Sequence, residues 1–124
     1  MTSLPGHRTI LLVEDDPDIA EAILDILRSA GRSAEYAQDG VVALHKLELL
    51  ERPCLIVLDL MMPRMDGREF LQRLRGACGD SDEFPVLVIS AHSALTPADY
   101  PGLLGVLPKP FHPKQLLKVV QEHC

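Results

Sequence analysis

Residues 54–59 read CLIVLD. Cys54 to Leu58 form a nearly unbroken apolar run that stops abruptly at Asp59. Such a run suits a central strand buried on both faces, the kind found in parallel sheets with helices on either side. Outward from it, short apolar runs alternate with helical periodicity, as crossover helices between parallel strands require. Upstream, Thr9–Val13 reads as a strand leading into a helix with Asp16 as cap and Pro17 at the first helical position. Ile19, Ile23, Ile26 and Leu27 fall on one face of that helix, and Gly31 ends it. A weak strand at Ser33–Ala37 precedes a helix from Gly40 to Leu50, capped by Asp39, with Val41, Leu44 and Leu47 predicted to face inward. Downstream, Phe70, Leu71 and Leu74 mark a third helix and Val86–Ile89 a fourth strand ending at Ser90. Pro97 and Pro101 leave only a short helical window between Thr96 and Leu104, and Gly105 interrupts before a fifth strand at Val106–Leu107. The last helix starts near Pro113, with Leu116, Leu117 and Val120 inward.

The 124 residues are the length of one domain, residues 1–124 with a core from 9 to 120, and 47% hydrophobic content is enough for one buried core. A net charge of −6 with dispersed basic residues lacks the footprint of a nucleic-acid surface. No apolar run approaches the roughly 18 residues of a membrane span, and Met1–Arg8 lacks the apolar stretch of a signal peptide. The three cysteines, Cys54, Cys78 and Cys124, have no CxxC spacing and read as buried or incidental thiols of a reducing cytosol. The expectation is a soluble cytoplasmic protein.

In an open α/β sheet, sites form outside the carboxyl ends of the strands, where the loops diverge. Here those ends carry Glu14, Asp15 and Asp16 after the first strand, Asp59 after the third, Ser90 after the fourth and Lys109 after the fifth. Clustered carboxylates repel unless a cation or shared protons neutralise them. Magnesium takes oxygen ligands and keeps waters, which suits Asp15 and Asp59 as direct ligands and the backbone carbonyl of Met61 as another. A carboxylate can also attack phosphorus, and the resulting acyl phosphate needs the positive charge that Mg2+ and Lys109 bring. Ser90 is placed to hydrogen-bond the new group. Plainer roles suffice for Asp16, a helix cap, for Asp66, a turn, and for His92, a surface residue; the five histidines show no ligand spacing.

These residues, in this order, resemble the receiver domain of two-component response regulators, over Thr9 to Val120. The segments that carry the resemblance are LLVEDDP at 11–17, LIVLDLMMPRMDG at 55–67, VISAHS at 88–93 and LPKPF at 107–111. The resemblance implies a flavodoxin-like (βα)5 doubly wound fold with a five-stranded parallel sheet in the order 2-1-3-4-5. It implies Asp59 as phosphoacceptor, Asp15 as direct metal ligand, Glu14 acting largely through water, Ser90 as switch hydroxyl and Lys109 as phosphate-binding lysine, followed by a cis peptide to Pro110. The implied donor is a phosphohistidine on a sensor histidine kinase or phosphotransfer protein, and the implied target a downstream effector. The domain would catalyse its own phosphorylation and slow dephosphorylation.

Two positions depart from the family pattern. Val106 stands where a Tyr or Phe often precedes the lysine by three residues, and the stretch from Ser90 to Lys109 is short and rich in proline. Both bear on a second reading, a receiver-like interaction module that works without phosphate. A third reading, an aspartate-nucleophile phosphatase of the haloacid dehalogenase type, needs a second Asp two residues after the first, where this chain has Met61.

Overall fold

The computed structural model describes residues 9–49, 53–59, 67–78, 84–90 and 102–124. Its elements, in chain order, are β1 (Ile10–Val13), α1 (Pro17–Ser29), β2 (Ala34–Ala37), α2 (Gly40–Leu49), β3 (Leu55–Asp59), α3 (Gly67–Cys78), β4 (Val86–Ser90), β5 (Leu103–Pro108) and α4 (Pro113–His123). All pairings are parallel, and the strand order is β2-β1-β3-β4-β5. This is the doubly wound sheet that the apolar run at 54–58 predicts.

Alternation along the strands divides the core in two. Leu11, Val13, Ile56, Leu58, Val86 and Val88 point to one face, where Ala43 of α2 and Phe70, Leu71 and Leu74 of α3 cover them. Ile10, Leu12, Leu55, Val57, Leu87 and Ile89 point to the other, under Ala20, Ile23 and Leu27 of α1 and Leu116 and Val120 of α4. β1, β3 and β4 are buried along their whole length, which is why they read as continuous apolar runs. Each such side chain withdrawn from water contributes roughly 1.5–3 kcal/mol before the entropy of ordering is set against it.

Local signals fix the helix starts. Asp16 Oδ1 accepts from the N–H groups of Asp18 (2.9 Å) and Ile19 (3.3 Å), and Asp39 Oδ1 from that of Val42 (2.9 Å). Gly31 has φ +79°, the left-handed geometry that releases the chain from α1 toward β2. α4 is capped by His112, whose Nδ1 accepts from the Lys114 N–H (3.1 Å) while Gln115 Oε1 accepts from the His112 N–H (2.8 Å).

Four expectations need correction. Val41 is 50% exposed, and Ala43 is the buried residue of α2, with Val42, Leu44 and Leu47 at its margin. Leu117 is only partly buried; Leu116 and Val120 form the inner face of α4. The fifth strand begins at Leu103, so Leu103 and Leu104 are strand and not the end of a helix; residues 96–101 lie outside the described residues. The register jumps from Val86↔Leu103 to Leu87↔Gly105, leaving Leu104 as the extra residue of a bulge that turns it toward solvent. Gly105 thus sits inside the strand.

The fourth concerns the thiols. Cys54 and Cys124 are joined as a disulfide across 70 residues of sequence, with their Cα atoms 5.6 Å apart. Packing of α4 over β3 brings the end of the helix beside the start of the strand, at the pole opposite Asp59. Arg32 reinforces that corner, its Nη1 donating to the Cys124 carbonyl at 2.9 Å.

Candidate functional site

The carboxyl ends of β1, β3, β4 and β5 converge on one rim. Glu14 continues the alternation of Ile10 and Leu12, and Asp59 that of Leu55 and Val57, so both carboxylates lean to the α1 and α4 side of the sheet. Both are almost wholly buried, at 1% and 5% exposure, while Asp15 is exposed. One carboxylate oxygen from each of Glu14, Asp15 and Asp59 lies within 4.8 Å of the others. Lys109, just past the end of β5 and joined to Pro110 by a cis peptide, sets its Nζ 3.7 Å from Glu14 Oε1 and 3.6 Å from Asp59 Oδ1. Its backbone N–H donates to the Ser90 carbonyl at 3.2 Å, tying the lysine to the end of β4. Ser90 is buried and follows Ile89, the residue registered against Asp59.

The electrostatics follow from burial. Burial pushes the Glu14 carboxyl from its ordinary 4.5 up to about 8, helped by a hydrogen bond with Asp59 and by the Asp59 charge. The backbone N–H of Asp16, 3.2 Å from Glu14 Oε2, and the Lys109 ammonium oppose the rise without cancelling it. Two buried carboxylates side by side thus retain a proton even with one ammonium between them. This is where a hard divalent cation would be favoured, and the donor set fits one: three carboxylates within reach of a single point, two of them buried.

The structure brings together Glu14, Asp15, Asp59 and Lys109, with Ser90 on the adjoining strand end. Met61 lies outside the described residues. Asp16 serves the helix cap, as its position before Pro17 predicts. One polar contact at the rim escapes the sequence reading: Tyr36 Oη donates to the Glu14 carbonyl at 2.6 Å. The phenol is held above its ordinary pKa by burial, then by the charges of Glu14, Asp15, Asp16 and Asp39. Finding it from sequence would require the β1–β2 register, in which Tyr36 stands opposite Leu12.

An open parallel sheet of order 2-1-3-4-5 with buried acids and a lysine at its carboxyl rim defines a doubly wound α/β protein with its pocket at the strand ends. The chain belongs to the response regulator receiver domain family, whose pattern it matches over residues 10–121. It is 40% identical over 111 residues to the response regulator MprA of Mycobacterium tuberculosis, a match covering 87% of this chain and 46% of that protein. The chain therefore spans about half the length of the curated relatives it matches. Among solved structures it is similar to the chemotaxis response regulator CheY4 of Vibrio cholerae, at 31% identity and TM-score 0.75, covering 94% of this chain and 98% of that one. It is also similar to the receiver domain of the sensor histidine kinase PA1611 of Pseudomonas aeruginosa, at 26% identity and TM-score 0.78, covering 94% and 96%. That structure has a magnesium ion coordinated in its active-site cleft.

Proposed function

We propose that residues 1–124 form a single receiver domain, core 9–120, that accepts a phosphoryl group on Asp59 and changes conformation to control a partner. The observation that carries the reading is one ammonium, Lys109, within 4.0 Å of both buried carboxylates, Glu14 and Asp59. An ordinary surface lysine has no reason to enter a buried acidic pocket, whereas an acceptor about to gain negative charge needs a cation fixed beside it.

In this reading an Asp59 oxygen attacks the phosphorus of a phosphohistidine on a sensor kinase or phosphotransfer protein. The P–N bond breaks and the electron pair returns to the imidazole, which takes up a proton. Lys109 balances the charge arriving on the phosphoryl oxygens, and Ser90 donates its hydroxyl to one of them. Asp15 and Asp59 would hold Mg2+ directly, Glu14 through water, and the Met61 carbonyl would complete the set; bound there, the ion neutralises phosphate oxygens and fixes their orientation. The output goes to an effector protein or domain, without direct nucleic-acid or membrane contact by this domain, in keeping with its net charge of −6. Among the described residues no helix is long and apolar enough to cross a membrane. A cytoplasmic location goes with this role.

Val106 favours a second reading, a docking module indifferent to phosphate: it is packed at the margin of the α2 and α3 core, where many receivers place an aromatic switch. Incubation with Mg2+ and acetyl phosphate separates the two. A phosphoacceptor gains one phosphoryl group by intact-protein mass, and Asp59→Asn removes the gain. No incorporation by the unaltered chain leaves the docking module as the surviving account.

A further inference from the structure

The acidic rim has a support outside the residues that do its chemistry. Glu14 follows β1, and both of its backbone polar groups are tied to β2. Its N–H donates to the Ala37 carbonyl at 3.1 Å, and its carbonyl accepts from Tyr36 Oη at 2.6 Å. Tyr36 stands opposite Leu12, two residues before Glu14, a separation of roughly 6.6 Å along a strand that the length of a tyrosine side chain spans. Its ring is partly buried against the α1 face of the sheet, which fixes the direction of the hydroxyl.

The consequence falls on the next residue. The carbonyl of Glu14 and the N–H of Asp15 share one rigid peptide plane, so pinning the carbonyl sets the orientation from which the Asp15 side chain departs. Asp15 needs this more than its neighbours do. Glu14 and Asp59 are held by burial and by Lys109, whereas Asp15 is exposed, and among the described residues its carboxylate makes no hydrogen bond or ion pair.

We propose that Tyr36 is a positioning residue for the cation site: its hydroxyl fixes the Glu14–Asp15 peptide and thereby presents the Asp15 carboxylate beside that of Asp59. The inference rests on the reading of this pocket as a Mg2+ site. The phenol does this without adding charge to a cluster that already carries too much of one sign. It acts on affinity, because an aspartate free to rotate must be ordered when the ion arrives, whereas a preset one need not be.

Tyr36→Phe isolates the hydroxyl, since the ring and its packing remain. Mg2+ affinity is measured by calorimetry on the unaltered chain and on Tyr36→Phe. The Asp15 amide is followed in 15N-resolved spectra, and the melting temperature is recorded without metal. We expect affinity to fall about 3- to 10-fold, the worth of one such hydrogen bond. The Asp15 amide resonance should shift or broaden in the metal-free variant, with the melting temperature within a few degrees of the parent. Equal affinity and an unmoved Asp15 amide in Tyr36→Phe, with the unaltered chain binding Mg2+ normally, overturn this inference and leave the proposed function standing. A lowered melting temperature with unchanged affinity also overturns it, since the hydroxyl would then be structural only. No Mg2+ binding by the unaltered chain overturns both.

Discussion

Loading the pocket with Mg2+ should expel a proton, and Glu14 is its source. With the carboxyl pushed up to about 8, about 0.9 of the molecules hold that proton at pH 7 in the absence of metal. A divalent ion at the same point favours the ionised form, so binding releases about 0.9 proton at pH 7 and almost none above pH 9. Apparent affinity should then rise about 100-fold from pH 6 to pH 9, with a slope near one in log units below pH 8. The linkage also acts on folding. Because the folded carboxyl binds its proton more tightly than the unfolded one, stability is greatest below the ordinary 4.5 and is lost as pH climbs through about 8. By pH 7 the metal-free protein has already lost part of this contribution. Glu14→Gln, neutral at every pH, should recover much of that and flatten both profiles. Calorimetry of Mg2+ binding in buffers of different ionisation enthalpy reads the proton count directly. A count near zero at pH 7, or an affinity flat from pH 6 to 9, would show that Glu14 does not surrender a proton to the ion.

Lys109→Met should move the midpoint of that proton release above pH 8, because the ammonium is one of the two influences holding the Glu14 carboxyl down; it should also slow phosphate incorporation at saturating Mg2+. His112→Ala should cost about 1 kcal/mol by chemical denaturation, since the imidazole nitrogen caps α4, whereas His112→Asp, which can accept from the same N–H, should not.

Much of this molecule is written locally. The run at 54–58 gives the central strand because every residue there is buried, and Asp16–Pro17 gives the start of α1 because cap and first-turn chemistry are decided within a few residues. The pocket was legible for the same reason: each of its residues stands at the end of a recognisable strand. Where local sequence does not settle the structure, the deciding partner is distant or the local signal ambiguous. α2 carries Val41, Val42, Ala43, Leu44 and Leu47, apolar nearly all round, so periodicity selects no face and only the sheet beneath shows that Val41 is outside. The bulge at Leu104 depends on β4, and Tyr36 on the register of β1 against β2. The Cys54–Cys124 pairing depends on where α4 lands, and a spacing of 70 residues carries no hint of it.

That last pairing turns more than half of the chain into a closed ring holding β3, α3, β4, β5 and α4, with Asp59 and Lys109 both on its circumference. One protease cut anywhere between residues 55 and 123 opens the ring without dividing the molecule. The nicked protein should run as one species on a denaturing gel and as two once a thiol is added, so the strand bearing Asp59 cannot drift away from Lys109.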